Sequence, residues 1–139
     1  GELARLRRDP GLLAGAIEEL LRYDTPLQMF ERWVLEDVEI FGVSVPKGAE
    51  LGLLFGSANR DPAVFPAPDR LDLGRPEAAQ HLSFGAGVHY CLGAPLGRLE
   101  LELSFGTLLR RLPRMEPAAE PAWKPTYILR GLEALRVSA

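Results

Sequence analysis

The sequence predicts an α+β fold, and three observations carry that prediction. Helical apolar spacing follows Asp9-Pro10 near the start, and a longer helical pattern runs from Leu92 to Leu112. Between them lie short apolar runs of strand character, Arg32 to Ile40 and Leu51 to Phe55. A proline-dense stretch from Pro62 to Pro76 separates those runs from the second helix. Helices kept apart from small antiparallel sheets are the mark of this class.

Taken in order, residues 1–8 are charged and mixed, and read as a solvated lead-in. Asp9-Pro10 is an N-cap followed by proline at the first helical position. Leu12, Leu13, Ala16, Ile17, Leu20 and Leu21 then form one apolar face, and the helix should stop near Tyr23-Asp24, because Pro26 biases Thr25 away from the α region. Thr25 to Phe30 is an irregular link. Arg32 to Ile40 suits a strand, and Phe41 to Val45 continues in the same character. Pro46-Lys47-Gly48 is a turn with proline at the second position and glycine where a positive φ is needed. Leu51 to Phe55 completes a small antiparallel sheet.

Asp61-Pro62 reads as a second cap-plus-proline start, here of a short helix. The prolines at 62, 66, 68 and 76 then make a meander that holds Arg70. An irregular stretch of this length in a compact domain is usually functional or tied down by specific contacts. The pattern from Leu92 to Leu112 has apolar residues on more than one face, as expected of a largely buried helix, and Pro113 ends it. Pro117 and Pro121 mark a linker, and Tyr127 to Leu129 with Leu132 to Val137 reads as a closing hairpin around Gly131.

The composition allows one domain, taken as residues 1–139, with enough apolar content (47%) to build a core. A formal charge of −3 leaves no basic footprint for nucleic acid. One cysteine excludes an internal disulfide and suits a reducing, cytoplasmic setting. No apolar run reaches the length of a membrane span, and no signal-peptide pattern opens the chain, which begins at Gly1 rather than Met.

That cysteine sits in Phe84-Gly85-Ala86-Gly87-Val88-His89-Tyr90-Cys91-Leu92-Gly93, a small-residue loop at the start of the long helix. Helix N-termini favour negative charge, so the position suits an anionic sulfur. Gly85, Gly87 and Gly93 would let the backbone approach a bulky flat object, and free N–H groups nearby would tune a metal thiolate. A small buried thiol is the plainer reading. Other chemistries fit poorly. The dinucleotide fingerprint is broken at Tyr90, and there is no C-x-x-C-H and no second cysteine. His81, His89 and Cys91 would make an incomplete zinc set. For a cysteine hydrolase, His89 lies two positions before Cys91 and would point away from it.

Phe84-x-x-Gly87-x-x-x-Cys91-x-Gly93 resembles the haem-ligand loop of the cytochrome P450 superfamily, and the stretch from His81 to Glu100 is similar to its soluble bacterial branch. Glu19-Leu20-Leu21-Arg22 resembles the E-x-x-R motif of the family's helix K, and the intervening meander matches in order. The resemblance covers nearly the whole chain and corresponds to the C-terminal part of a mainly helical P450 fold: helix K, small antiparallel sheets, meander, cysteine loop and a buried helix L.

The resemblance implies haem b (iron protoporphyrin IX) as cofactor, with Cys91 as the proximal thiolate ligand of the iron and the catalytic residue. It places Arg32 and His89 at the haem propionates and Phe84, Gly85 and Gly93 beside the macrocycle; His81 is a cap of the loop rather than a haem contact. Glu19 and Arg22 can pair at i and i+3, and the family pattern makes Arg70 the third member of a buried structural triad. Leu27, Gln28 and Met29, with Ile128 and Leu129, are implied to border the substrate pocket.

The implied activity is monooxygenation of a small apolar organic substrate, with a ferredoxin or flavoprotein reductase as electron donor. Peroxygenase or isomerase chemistry, and a truncated non-catalytic haem-binding or self-associating module, are the other readings. The family's distal helix lies upstream of helix K. The resemblance therefore implies an incomplete domain that is weakly active or inactive alone and needs a missing N-terminal portion or self-association. Gly97 departs from the family's L-A-R pattern and should cost the helix about 1 kcal/mol.

Overall fold

A computed structural model describes residues 1–138. The lead-in is not loose. Glu2–Arg8 forms α1, and Leu6 on it is buried. Asp9 caps a single 3-10 turn, Pro10–Leu12, by accepting the Gly11 N–H at 3.1 Å. The main helix α2 then runs Leu13–Tyr23 and ends where Pro26 requires. Its buried face carries Ala16, Ile17 and Leu21 but also Glu19 and Arg22. The apolar cluster is small: Leu6, Ala16 and Leu73, flanked by Leu12, Leu13, Leu20, Leu71 and Leu109.

The expected first strand is divided. β1 (Phe30–Trp33) pairs antiparallel with β4 (Glu50–Leu53), whereas β2 (Val38–Ile40) and β3 (Val43–Val45) form a separate hairpin. Phe41 and Gly42 make its two-residue turn with φ of 51° and 79°. Both central residues of such a turn need positive φ, which matches the twist of the strands. In the next turn Ala49 N–H bonds Pro46 C=O, so proline takes the first position, not the second, and Gly48 supplies the positive φ of 85°.

The short helix α3 is Phe55–Ala58, before Asp61-Pro62 rather than after it. Asp61 instead closes a turn, accepting the Ala63 N–H on its carboxylate and the Phe65 N–H on its carbonyl. The proline content keeps this turn from propagating. Regular structure is then sparse until a 3-10 turn at Ala78–Gln80.

The long helix α4 spans Ala94–Arg111 and packs on α2. Its extent agrees with the apolar pattern, but its burial does not. Only Ala94 is buried, while Leu96, Leu99 and Leu103 are exposed. The pattern covers two faces, and this chain supplies a partner for one of them. The C-terminal region is a ladder rather than a linker and one hairpin. β5 (Glu116–Pro117) pairs with β8 (Val137–Ser138), and β6 (Ala122–Trp123) pairs with β7 (Leu132–Ala134). No helix among the described residues is long and apolar enough to cross a membrane.

Candidate functional site

The foundation of the site is a buried polar hub. Glu19 and Arg22 are fully buried one helical turn apart, joined by two bonds of 2.7 and 2.9 Å. The third member is Arg75, not Arg70. Arg75 Nε lies 3.2 and 3.1 Å from the two Glu19 oxygens, while the Arg70 side chain is exposed and only its carbonyl joins, accepting from Arg75 Nη2 at 2.9 Å. Sequence order does not separate the two arginines, but their neighbours do. Arg70 stands between Asp69 and Asp72 in a solvated pattern, whereas Arg75 lies between Gly74 and Pro76 with no adjacent charge.

The two arginines spend their remaining donors on meander carbonyls. Arg22 Nη1 reaches Asn59 and Pro68 at 2.8 and 3.0 Å, and Arg75 Nη1 reaches Pro66 at 2.6 Å. Glu19 also accepts the Asp72 N–H at 3.0 Å. Burial by itself would raise the Glu19 carboxyl, but bonds from Arg22, the Asp72 N–H and Arg75 outweigh it and hold the group below its ordinary range. The meander is irregular because its carbonyls answer to side chains instead of to a ladder.

Asn59, fully buried at the end of α3, carries the hub forward to the cysteine loop. Its amide donates to Thr25 Oγ1 at 2.6 Å and Ser83 Oγ at 3.0 Å, and its Oδ1 accepts the Leu82 N–H at 2.7 Å. Ser83 Oγ in turn donates to the Leu21 carbonyl of α2 at 2.7 Å. No pattern in the sequence marks Asn59.

From Ser83 the loop turns outward through Gly85 and Gly87, both left-handed at φ of 70° and 65°. It closes where the Cys91 N–H bonds the Phe84 carbonyl at 2.9 Å. Cys91 is exposed, which removes the buried-thiol reading. Its carbonyl accepts the Ala94 N–H at 3.1 Å, so the sulfur-bearing residue leads directly into α4. A Cβ at Gly93 would stand 3.7 Å from Cys91 Sγ, occupying the space beside the sulfur. No cluster of three metal-ligating residue types exists among the described residues, so His81, His89 and Cys91 do not assemble as a zinc set.

Cys91 opens on a concavity of about 220 Å³ that Arg32, Phe84, Gly85 and His89 also line. A larger one, about 390 Å³, continues past Arg32, Gly85 and His89 towards Leu53 and Leu54. Arg32 extends from β1 over the Phe30 ring, 4.6 Å from its centroid, and donates to the Glu31 carbonyl at 2.8 Å. It has no carboxylate partner among the described residues, and neither does His89. One sulfur, a guanidinium and an imidazole without carboxylate partners, and apolar walls therefore face one space.

The two segments expected at a substrate pocket meet. Leu27 and Leu129 form an antiparallel bridge, and Gln28 N–H bonds the Ile128 carbonyl at 2.8 Å. Leu27 lines the Cys91 concavity. Gln28 does not: its amide donates to the Thr25 carbonyl and lies against Gly56, on a polar hollow shared with Arg60 and Arg130. Neighbouring residues of an extended segment face opposite ways, which separates the two. Met29 packs against Gly52.

His81 is buried and lies at the side of the loop. Its Nδ1 accepts the Ser83 N–H at 3.0 Å, and Nε2 lies 3.1 Å from Glu18. Burial lowers the ring's pKa against the opposing pull of Glu18. Glu18 is held below its ordinary value chiefly by its bond from Arg98. Glu18, Asn59, Arg75 and Arg98 are the positions that sequence reasoning did not single out.

The chain matches the family model described as Cytochrome P450 over residues 8–125. It is 45% identical to the polyketide biosynthesis cytochrome P450 PksS of Bacillus subtilis, over 99% of this chain and 35% of that protein. It is 42% identical to 6-deoxyerythronolide B hydroxylase of Saccharopolyspora erythraea, over 98% of this chain and 34% of the relative. Among solved structures, P450BioI in complex with an acyl carrier protein carrying hexadec-9Z-enoic acid superposes with a TM-score of 0.95 at 43% identity, over 99% of this chain and 36% of that one. The chain thus spans about a third of the length of the relatives it matches.

Proposed function

The chain belongs to the cytochrome P450 family, whose cofactor is haem b, and from that premise we propose that it is the iron-ligating part of a haem-thiolate monooxygenase. The observation that carries this reading is the exposed Cys91, opening on a concavity shared with Arg32 and His89, neither of which has a carboxylate partner among the described residues. The residues fit the group: an exposed sulfur for the iron, a glycine beside it where a Cβ would take up room, and a planar cation and an imidazole for carboxylates. Cys91 would hold the iron, Arg32 and His89 the propionates, and Phe84, Gly85 and Gly93 would border the ring. A thiolate-ligated haem, when bound, supplies dioxygen activation.

What the chain's own residues do is positional. The hub of Glu19, Arg22 and Arg75 fixes the meander, Asn59 hands that rigidity to Ser83, and the loop presents Cys91 at a set depth. Leu27 and Leu129 would offer apolar surface to an organic substrate, and a ferredoxin or flavoprotein reductase would deliver electrons. The exposed apolar face of α4 supports the further reading that turnover needs more polypeptide over this surface, since a large bare apolar patch is unfavourable in water. A cytoplasmic location goes with this reading.

The test is the spectrum of the haem-loaded, reduced, CO-bound protein. A strongly red-shifted Soret band that disappears in Cys91→Ser supports the ligand assignment. Persistence of the band in Cys91→Ser rejects it.

A further inference from the structure

Arg98 projects from the second turn of α4 and meets three partners. Its Nε and Nη2 bind the two carboxylate oxygens of Glu18 on α2 at 2.6 and 2.9 Å. Its Nη1 donates to the Tyr90 hydroxyl at 2.7 Å, and its guanidinium carbon stands 4.7 Å from the Phe84 ring centroid. Phe84 and Tyr90 are the two ends of the cysteine loop. Their rings meet edge-on at 6.4 Å, and the Phe84 carbonyl accepts the Cys91 N–H. Glu18 continues the chain of contacts to His81, which takes the Ser83 N–H at the loop's entry.

We propose that Arg98 is the positioning residue of the Cys91 loop, clamping its entry at Phe84 and its exit at Tyr90 to α2 through Glu18. The chemistry asks for arginine. A planar fork serves a carboxylate with two parallel bonds, leaves a third nitrogen for the phenol and keeps a flat face for the aromatic ring. Lysine has three donors on a single nitrogen, so it lacks both the parallel fork for a carboxylate and the flat face for a ring. The glycines at 85 and 87 add no side-chain packing, so beyond the backbone bonds that close the loop its shape is held by groups that grip both ends. The relevance of this clamp to the iron rests on the reading of Cys91 as its ligand; the clamp itself does not.

Residue-resolved amide hydrogen exchange on the 139-residue chain, without haem, tests the clamp. Tyr90→Phe removes one hydroxyl and no charge, and Arg98→Lys keeps the charge and removes the fork. Both are expected to speed exchange of the Cys91 and Gly85 amides by about tenfold or more while α2 amides such as Leu21 change less than about twofold, because local opening and global unfolding report separately. Unchanged Cys91 exchange in Tyr90→Phe, or equal acceleration of α2 and the loop, overturns the proposal. If Arg98→Lys does not fold, Tyr90→Phe alone decides. In the haem-loaded chain, both variants should lose part of the red-shifted CO band that Cys91→Ser loses wholly. A wild-type chain without that band would reject the ligand reading and leave the exchange result standing.

Discussion

The hub beneath the loop and the surface around Cys91 invert the usual division of residues. Arg22, Glu19, Asn59 and Thr25 are, with Phe65, the largest fully buried side chains, while Leu92 and Val88 are 99% and 98% exposed. Inside, every buried side-chain nitrogen or oxygen among the described residues has a partner, so the charges are compensated and the irregular meander is rigid. Outside, apolar side chains on α4 and the loop are left bare. The contrast shows two different rules at work: every buried polar group is satisfied among the described residues, whereas large apolar side chains of α4 and the loop stay exposed.

The largest expected effect comes from breaking the hub. Glu19→Ala leaves Arg22 and Arg75 buried without their carboxylate, at a cost of about 3–5 kcal/mol. Denaturant unfolding should show the loss, and an unchanged midpoint would mean that the arginines find other partners. Arg75→Leu should also destabilise by at least about 2 kcal/mol, whereas Arg70→Leu should stay within about 0.5 kcal/mol. That pair of variants decides which arginine completes the triad.

Acid should attack the polar interior in two stages. The folded His81 has its pKa lowered by burial, so its contribution is complete above its ordinary value of 6.5 and declines as pH falls through that value. Glu18 and Glu19 are lowered from 4.5, so their contributions are lost at more acidic pH, below that value. Unfolding midpoints measured from about pH 8 down to about pH 2 should fall first gently and then steeply. A flat profile down to about pH 5 would show that His81 titrates alike in folded and unfolded chains.

Smaller effects sharpen the other side of the comparison. A Cβ at Gly97 would lie 3.7 Å from Phe84, in ordinary contact, so Gly97→Ala should stabilise α4 by about 1 kcal/mol in thermal unfolding. Leu103→Glu, on the bare face, should change stability by no more than about 0.5 kcal/mol. It should also reduce binding of a hydrophobic dye, an outcome that the same change at buried Leu73 could not give without unfolding the chain.

Much of this organisation is legible in local sequence. The end of α2 follows from Pro26, the extent of α4 from its apolar spacing and Pro113, and the loop from its glycines and lone cysteine. These features are set by backbone sterics and periodicity within a few residues. The β2–β3 hairpin is less visible, because Phe41 is not a residue that advertises a left-handed turn. Helix α1 was hidden by its charges, since Leu6 alone buries.

Local spacing suffices to place Glu19 and Arg22 on one helix face and a single sulfur at the start of α4, and to show which family motifs the chain carries. Long-range packing sets the rest: Arg75 rather than Arg70 completes the hub, Gln28 turns from the site while Leu27 faces it, and Arg98 contacts both ends of the loop. The physical reason is distance along the chain. Arg75 and Arg98 reach Glu19 and Glu18 across 56 and 80 residues, and neither spacing nor propensity specifies which cation will arrive, even where, as at Arg70, charged neighbours count against one of them.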